Sequence, residues 1–421
     1  MVYAGFCVFG MAFQFVPPLI PTLIRELQLN HGQAGLLLSF FALPGIIILS
    51  IPGGYLVDRF GVRSIGTSGL GLMALGTAGM VLPVGYHWLL LLRAVAGLGA
   101  MVSVVAMQRT VTLLFTGRPL GLPMGIVNTA VPLGIVLALN GALPLAERCG
   151  WRNVAAVVAI LAGLCCLGYL VMCSRLLAPA GERNATGQAP RHSGPTRLET
   201  DQRANDSPAT ATDTANVSFR LIWLAGAVWF FANGAVTSFV TFAPDHYLDL
   251  GLGAESIGIF VSLPMWCAAL LGPLIGWLTD RRGGKGAIIA TGMWVMAVFL
   301  IWVPSGIFSP LVLGLGLGLA LCCLPTPLLS LPGDILSSSH HGRAFGILSA
   351  CANAGIFLVP PIAGTIRDAT GAYFWPFLLM AGVAAAGMVV AFWLPTGRLP
   401  RGWAWLYTIL LPLALLVLFG F

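Results

Sequence analysis

The chain has 421 residues, of which 58% are hydrophobic and only 8% charged, with a formal net charge of +7. Soluble domains carry about 25% charged residues because their surfaces face water, so this composition, with a mean hydropathy of +0.92, excludes a soluble enzyme. It excludes a nucleic-acid-binding domain as well, because the basic residues are dispersed along the chain and all but Lys285 are Arg.

A bilayer core about 30 Å thick takes about 20 apolar residues of helix. Twelve runs meet that requirement: Val2 to Ile24, Ala34 to Leu56, Ile65 to Leu82, His87 to Met107, Leu122 to Leu145, Trp151 to Cys173, Leu221 to Phe242, Ser256 to Leu278, Ala287 to Val303, Ser309 to Leu331, Ala344 to Ile366 and Tyr373 to Leu394. A thirteenth, Gly402 to Phe421, is apolar to its last residue. The first run begins beside Met1 without the basic segment and small-residue cleavage site of a signal peptide, and is expected to be retained. Between the sixth and seventh runs, Ser174 to Ser218 turns to Ser, Thr, Ala, Pro and charge, the composition of a flexible linker. The expected organisation is therefore a six-helix bundle over 1–173, a linker over 174–218, a second six-helix bundle over 219–395 and an extra apolar segment over 396–421.

Cytoplasmic loops of membrane proteins collect Lys and Arg. With a cytoplasmic N-terminus, 16 of the 21 basic residues fall in inner loops. Only Arg25, Arg148, Arg152 and Arg367 then fall outside, and Arg93 lies within a span. The N-terminus and the central loop are therefore expected in the cytoplasm.

The two halves repeat each other. Gly54, Asp58, Arg59, Gly61 and Arg63 follow the second span, and Gly276, Asp280, Arg281, Gly283 and Lys285 follow the eighth at an offset of 222. Gly117, Arg118, Gly121 and Asn128 match Gly342, Arg343, Gly346 and Asn353 at an offset of 225. A short loop needs Gly to turn tightly, Asp can bond the amides that begin a neighbouring helix, and Arg can pair with carboxylates or carbonyls across the interface between halves. The two clusters are the candidate conformational gate.

This doubled loop signature, on two six-span halves, resembles the major facilitator superfamily, with Ser64 standing where the family carries a further basic residue in the first copy. The resemblance implies an all-α membrane protein with twelve transmembrane helices in two bundles, and a secondary transporter that alternates between outward-open and inward-open states. The region from Gly342 to Gly371, with Pro360, Pro361 and Asp368, is similar to bacterial permeases for small anions of the cyanate and organic-acid kinds. The Arg and Gly signatures expected of the nitrate branch are absent.

Arg93 lies about two turns inside the fourth span, where a charge costs several kcal/mol unless it meets a polar cavity or partner. It begins Arg93-x-x-x-Gly97-x-Gly99, which is similar to the superfamily's fourth-helix signature; the resemblance implies that Arg93 faces the central cavity, and the glycines allow a neighbouring helix to approach closely. Snorkelling to the outer interface is the competing reading. None of the 14 acidic residues falls near the middle of a span, so a cavity with one cation favours an anionic substrate. Glu26 and Asp245, near the outer mouth, keep proton coupling open. Gln14, Asn128, Asn233 and Asn353 are the other polar candidates for lining the path, with Thr237 beside them; Asn128 and Asn353 form the repeat-related pair. Pro17, Pro18, Pro21, Pro132, Pro325 and Pro327 should bend their helices.

Gly314-x-Gly316-x-Gly318 lies within an apolar span with no strand before it, so it reads as packing and not as a dinucleotide loop. The nine Cys sit mostly inside spans with no metal-ligand spacing, and His340-His341 is a solvated loop pair. No nucleophile and base, paired carboxylates, cofactor or metal site is implied, so an enzyme is not expected. The expected protein is a monomeric carrier of a small organic or inorganic anion in the inner membrane of a bacterium, with a coupling proton or counter-anion. Efflux of a neutral or apolar small molecule is a second reading, and a non-transporting membrane sensor or assembly factor with the same fold is a third.

Overall fold

The computed structural model describes residues 1–48, 53–114, 126–127, 129–176, 208–282, 284–336 and 341–394. The apolar segment from Gly402, the whole of 396–421, Asn128 and the centre of the linker lie outside the described residues. Among the described residues every regular element is helical: α1 (Val2–Gln14), a 3-10 turn (Pro17–Leu19), α2 (Ile20–Leu27), α3 (His31–Ser39), α4 (Leu43–Ile48), α5 (Gly53–Gly79), α6 (Tyr86–Leu114), α7 (Ala130–Cys149), α8 (Trp151–Leu176), α9 (Pro208–Asp249), α10 (Ala254–Arg282), α11 (Lys285–Trp302), α12 (Pro310–Cys322), α13 (Pro325–Ile335), α14 (His341–Thr370) and α15 (Phe374–Ala391). α9 begins at Pro208, inside the segment with linker composition, where no Gly or further Pro interrupts 209–218.

Ten of these helices, or runs of them, are long and apolar enough to cross a membrane. The expected second and third spans are helical too, but differ in form. The second is split into α3 and α4, because Pro44 has no N–H to bond back to Phe40 and the chain passes through tight turns at Phe41 and Ala42. The third is part of α5, which also contains the charged loop. That loop turns at Gly61, whose φ of 77° and ψ of 151° lie where only glycine sits without strain. Gly61→Ala should therefore cost about 1–3 kcal/mol, read as a lower melting temperature of the purified protein; a melting temperature equal to the parent's would show that the turn is not held there.

Proline also breaks the first and tenth spans as expected, at Pro17–Pro18 and at Pro325. One apolar core gathers side chains from Val2 to Cys173 and the other from Ala225 to Leu394, joined by Ile135 and Leu139 of α7. Leu75, Leu164, Leu270 and Leu319 are exposed on the outside of the bundles, which a water-facing surface would not tolerate in such number.

Helices close on one another through glycine, as bilayer packing favours. A Cβ on Gly99 would lie 2.4 Å from the carbonyl of Gly69, fixing α6 against α5. A Cβ on Gly134 would lie 1.8 Å from the carbonyl of Cys7, and one on Gly355 would lie 2.1 Å from that of Phe230. Thus α1 meets α7, and α9 meets α14, by the same device in the two halves. Gly314, Gly316 and Gly318 pack against Phe260, Phe299 and Cys267, so this run is a packing stripe.

Candidate functional site

Arg93 is fully buried in α6 and faces the breaks in the first two spans. In an unbroken helix the carbonyl of Phe13 would accept from residue 17, which is Pro; Arg93 Nη2 donates to it at 3.2 Å, and Nη1 to the neighbouring carbonyl of Ala12 at 2.8 Å. The carbonyl of Leu37 is released in the same way, because the amide of Phe41 turns to Leu38; Arg93 Nε donates to Leu37 O at 3.2 Å. The guanidinium carbon lies 4.6 Å from the ring centre of Phe41 and 5.4 Å from that of Phe15, a favourable seat for a desolvated cation. Among the described residues no carboxylate pairs with it. This buried cation thus fastens the two helix breaks together. Gly97, one turn further along α6, makes room for this: a Cβ there would sit 2.0 Å from the carbonyl of Phe41.

The other polar candidates surround the same split helices. Gln14 is buried, and its Oε1 makes no hydrogen bond. Asn353 is buried in α14, donates to the carbonyl of Ser349 at 2.9 Å, and presses on α4 where a Cβ on Gly45 would lie 2.6 Å from its Oδ1. Arg93 and Asn353 therefore grip the two pieces of one span from opposite halves. Asn233 donates to the carbonyl of Trp229 at 2.8 Å within its own helix, and Thr237 is buried one turn further on. Phe9, Phe13 and Phe41 cluster beside Arg93, with Phe13 and Phe41 5.6 Å apart.

At the end of the molecule where the repeated loops lie, Arg59 and Arg63 are exposed, and Arg59 spreads over the ring of Phe60 at 5.4 Å. Arg281 lies 4.3 Å from the ring centre of Trp277, and Gly276 lets α10 approach Thr326. The side chains of Asp58 and Asp280 and the whole of Gly283 lie outside the described residues, as do Gly117, Arg118 and Gly121. Lys285 bonds Ser330 Oγ at 2.7 Å and Asp334 on α13 at 2.5 Å. Its partner is thus in its own half, where α13 packs alongside the start of α11, and not across the interface.

The opposite end carries a cluster that spacing alone could not reveal. His31 opens α3, and its Nδ1 lies 2.7 Å from Asp368 Oδ1 at the end of α14, while its Nε2 lies 3.1 Å from Asp245 Oδ2 on α9. Asp368 also accepts from the backbone amides of His31 at 3.0 Å and Gly32 at 2.9 Å, capping α3 from the other half. Tyr373 donates its hydroxyl to Asp245, and Arg367 pairs with Asp249 at 3.7 Å while lying over the Tyr373 ring. Burial by itself would lower the pKa of His31, but the bonds to Asp245 and Asp368 outweigh it and hold it above the ordinary imidazole value.

Two seams join the halves at this end. Along α3 and α14, Ser39 donates to the carbonyl of Ile356 at 3.1 Å, and a Cβ on Gly364 would lie 2.3 Å from the carbonyl of His31. Along α7 and α10, Asn140 donates to Ser262 at 3.0 Å, and a Cβ on Gly258 would lie 2.8 Å from the carbonyl of Leu139. The repeat exchanges these helix pairs, but among the described residues only the first seam is ionic.

Comparison with known proteins agrees with this architecture. The chain is 24% identical over 390 residues to the probable sulfoacetate transporter SauU of Cupriavidus necator, covering 88% of this chain and 87% of the relative. It is 23% identical over 400 residues to the hexuronate transporter of Bacillus subtilis, covering 91% and 90%. The fold matches the crystal structure of the peptide transporter POT in complex with sulfate, with a TM-score of 0.72 at 14% identity over 93% of this chain and 92% of that one. These relatives are transporters and not enzymes. The family model of the Major Facilitator Superfamily matches residues 2–248 and 222–404, and the chain belongs to that superfamily.

Proposed function

We propose that this multi-pass membrane protein is a secondary transporter that carries a small organic anion across the bacterial cytoplasmic membrane by alternating access between its two halves. The observation that carries the reading is Arg93: a fully buried cation with three carbonyl partners and, among the described residues, no carboxylate. A carboxylate or sulfonate accepts from a guanidinium more strongly than a neutral carbonyl does. A substrate anion therefore competes with the carbonyls of Ala12, Phe13 and Leu37, and its arrival loosens the two helix breaks that Arg93 fastens. Sulfoacetate and hexuronate, named for two relatives, belong to this chemical class.

Gln14, Asn233 and Asn353, with Asn128 as the repeat partner of Asn353, supply neutral amides along the path. The repeated loops, with Asp58, Arg59, Gly61 and Arg63 in one half and Asp280, Arg281 and the Asp334-bound Lys285 in the other, act as the gate on the cytoplasmic side, where the N-terminus and central segment lie. Each monomer holds the complete site. Purified protein in proteoliposomes should show saturable uptake of a labelled small carboxylate or sulfonate, relieved by unlabelled anion and not by a neutral analogue. Absence of saturable flux across a panel of such anions would overturn the reading, and saturable flux of neutral compounds alone would assign an efflux role.

A further inference from the structure

The outer seam holds more carboxylates than its basic groups can balance. Facing His31 are Asp245 and Asp368, with Tyr373 behind Asp245; Arg367 is shared between Asp249 and the Tyr373 ring. His246 lies against Tyr373 at 5.0 Å between ring centres, and its Nε2 makes no hydrogen bond. Each ring nitrogen of His31 thus meets a carboxylate oxygen. Those oxygens are already acceptors, one from the Tyr373 hydroxyl and the other from the amide of His31 itself. A neutral imidazole offers one N–H and one lone pair, so one of the two contacts would set a lone pair against an anion. Only the doubly protonated ring donates to both.

We propose that His31, clamped between Asp245 and Asp368, is a proton-binding site that closes the outer end of the transporter: closure takes one proton from the outer water onto the imidazole, and opening returns it. The idea rests on the alternating transport reading but concerns the closed state alone. His31 belongs to the N-terminal half and both carboxylates to the C-terminal half, so the bound proton adds an ionic attraction to the backbone bonds that Asp368 makes across the seam. The His31 side chain is 18% exposed, so water can deliver the proton. When the seam parts, the ring leaves both carboxylates and returns to the ordinary imidazole value of about 6.5. The sign follows from linkage: the closed-state pKa is the higher one, so the stabilisation of closure is complete below about pH 6.5 and is lost as the pH rises through the raised value.

The test is the distance between nitroxides at Leu82→Cys and Ile307→Cys, in outer loops of the two halves, with Cys149→Ser, in lipid nanodiscs between pH 5 and 9. The short distance should dominate at acid pH and yield to a longer one, the ratio changing by about tenfold per pH unit between the open and closed pKa values, as one proton requires. His31→Gln, which keeps one donor and one acceptor, should abolish the pH dependence, and Asp245→Asn should move the midpoint to lower pH. A distance distribution that does not change with pH, or a parental profile retained by His31→Gln, would overturn the proposal. Failure to find a transported anion would count against the transport reading and leave this profile unchanged.

Discussion

Arg93→Ala should abolish saturable anion uptake and lower stability by about 1–3 kcal/mol, the penalty for leaving buried acceptors without their donor. Two effects combine. Uptake fails because the substrate loses its cation, and stability falls because the carbonyls of Ala12, Phe13 and Leu37, at the helix breaks, lose their donor. Arg93→Lys separates them. An ammonium keeps the charge but not the planar fork that spans α1 and α3, so it should recover part of the stability and little of the uptake. Proteoliposome flux measured beside a thermal melt of the same preparations checks both. Undiminished uptake in Arg93→Ala would remove this residue from the substrate path.

Gly97→Val should be more damaging to the fold than any change at the loops. The new Cβ would lie 2.0 Å from a backbone carbonyl, that of Phe41, and no flexible side chain can give way there. α6 must move from the α3–α4 break, which also draws Arg93 from Leu37. We expect a loss of more than about 4 kcal/mol, in the range reserved for backbone clashes and core disruption, visible as little folded protein on size exclusion. Gly141→Val is the control: a Cβ there meets open space, so its melting temperature should stay near the parent's. A Gly97→Val protein as stable as this control would mean that α6 and α3 are not in direct contact.

The membrane setting, the duplication and the break at Pro17 are legible in the chain because each is written in residue type: long apolar runs, doubled Gly-Asp-Arg loops, a proline pair. Arg93 is legible as a buried charge for the same reason. Its partners are not, because they are carbonyl groups, which every residue carries and no side chain advertises. Pro44 was the available sign of the second break; it lies within an apolar run whose length alone suggested one continuous helix. The cluster of His31, Asp245 and Asp368 is the clearest case of hidden information. Each sits at a helix end, where a lone titratable residue is ordinarily solvated, and only the pairing of α3 with α9 and α14 assembles them. Asp334, the partner of Lys285, is hidden in the same way.

The start of α3 is capped twice. Asn30 and Gln33 form a local reciprocal pair, the side chain of each accepting from the amide of the other. Asp368 adds a second cap from 337 positions further along. A ribosome makes these in order, so the helix emerges with the amides of Asn30 and Gln33 covered, while those of His31 and Gly32 wait through most of translation for a carboxylate that does not yet exist. The local pair therefore fixes where α3 begins before the C-terminal half is made. When the last two helices arrive, Asp368 can dock onto a helix end that needs no refolding, which makes the joining of the halves a late, separable step of biogenesis.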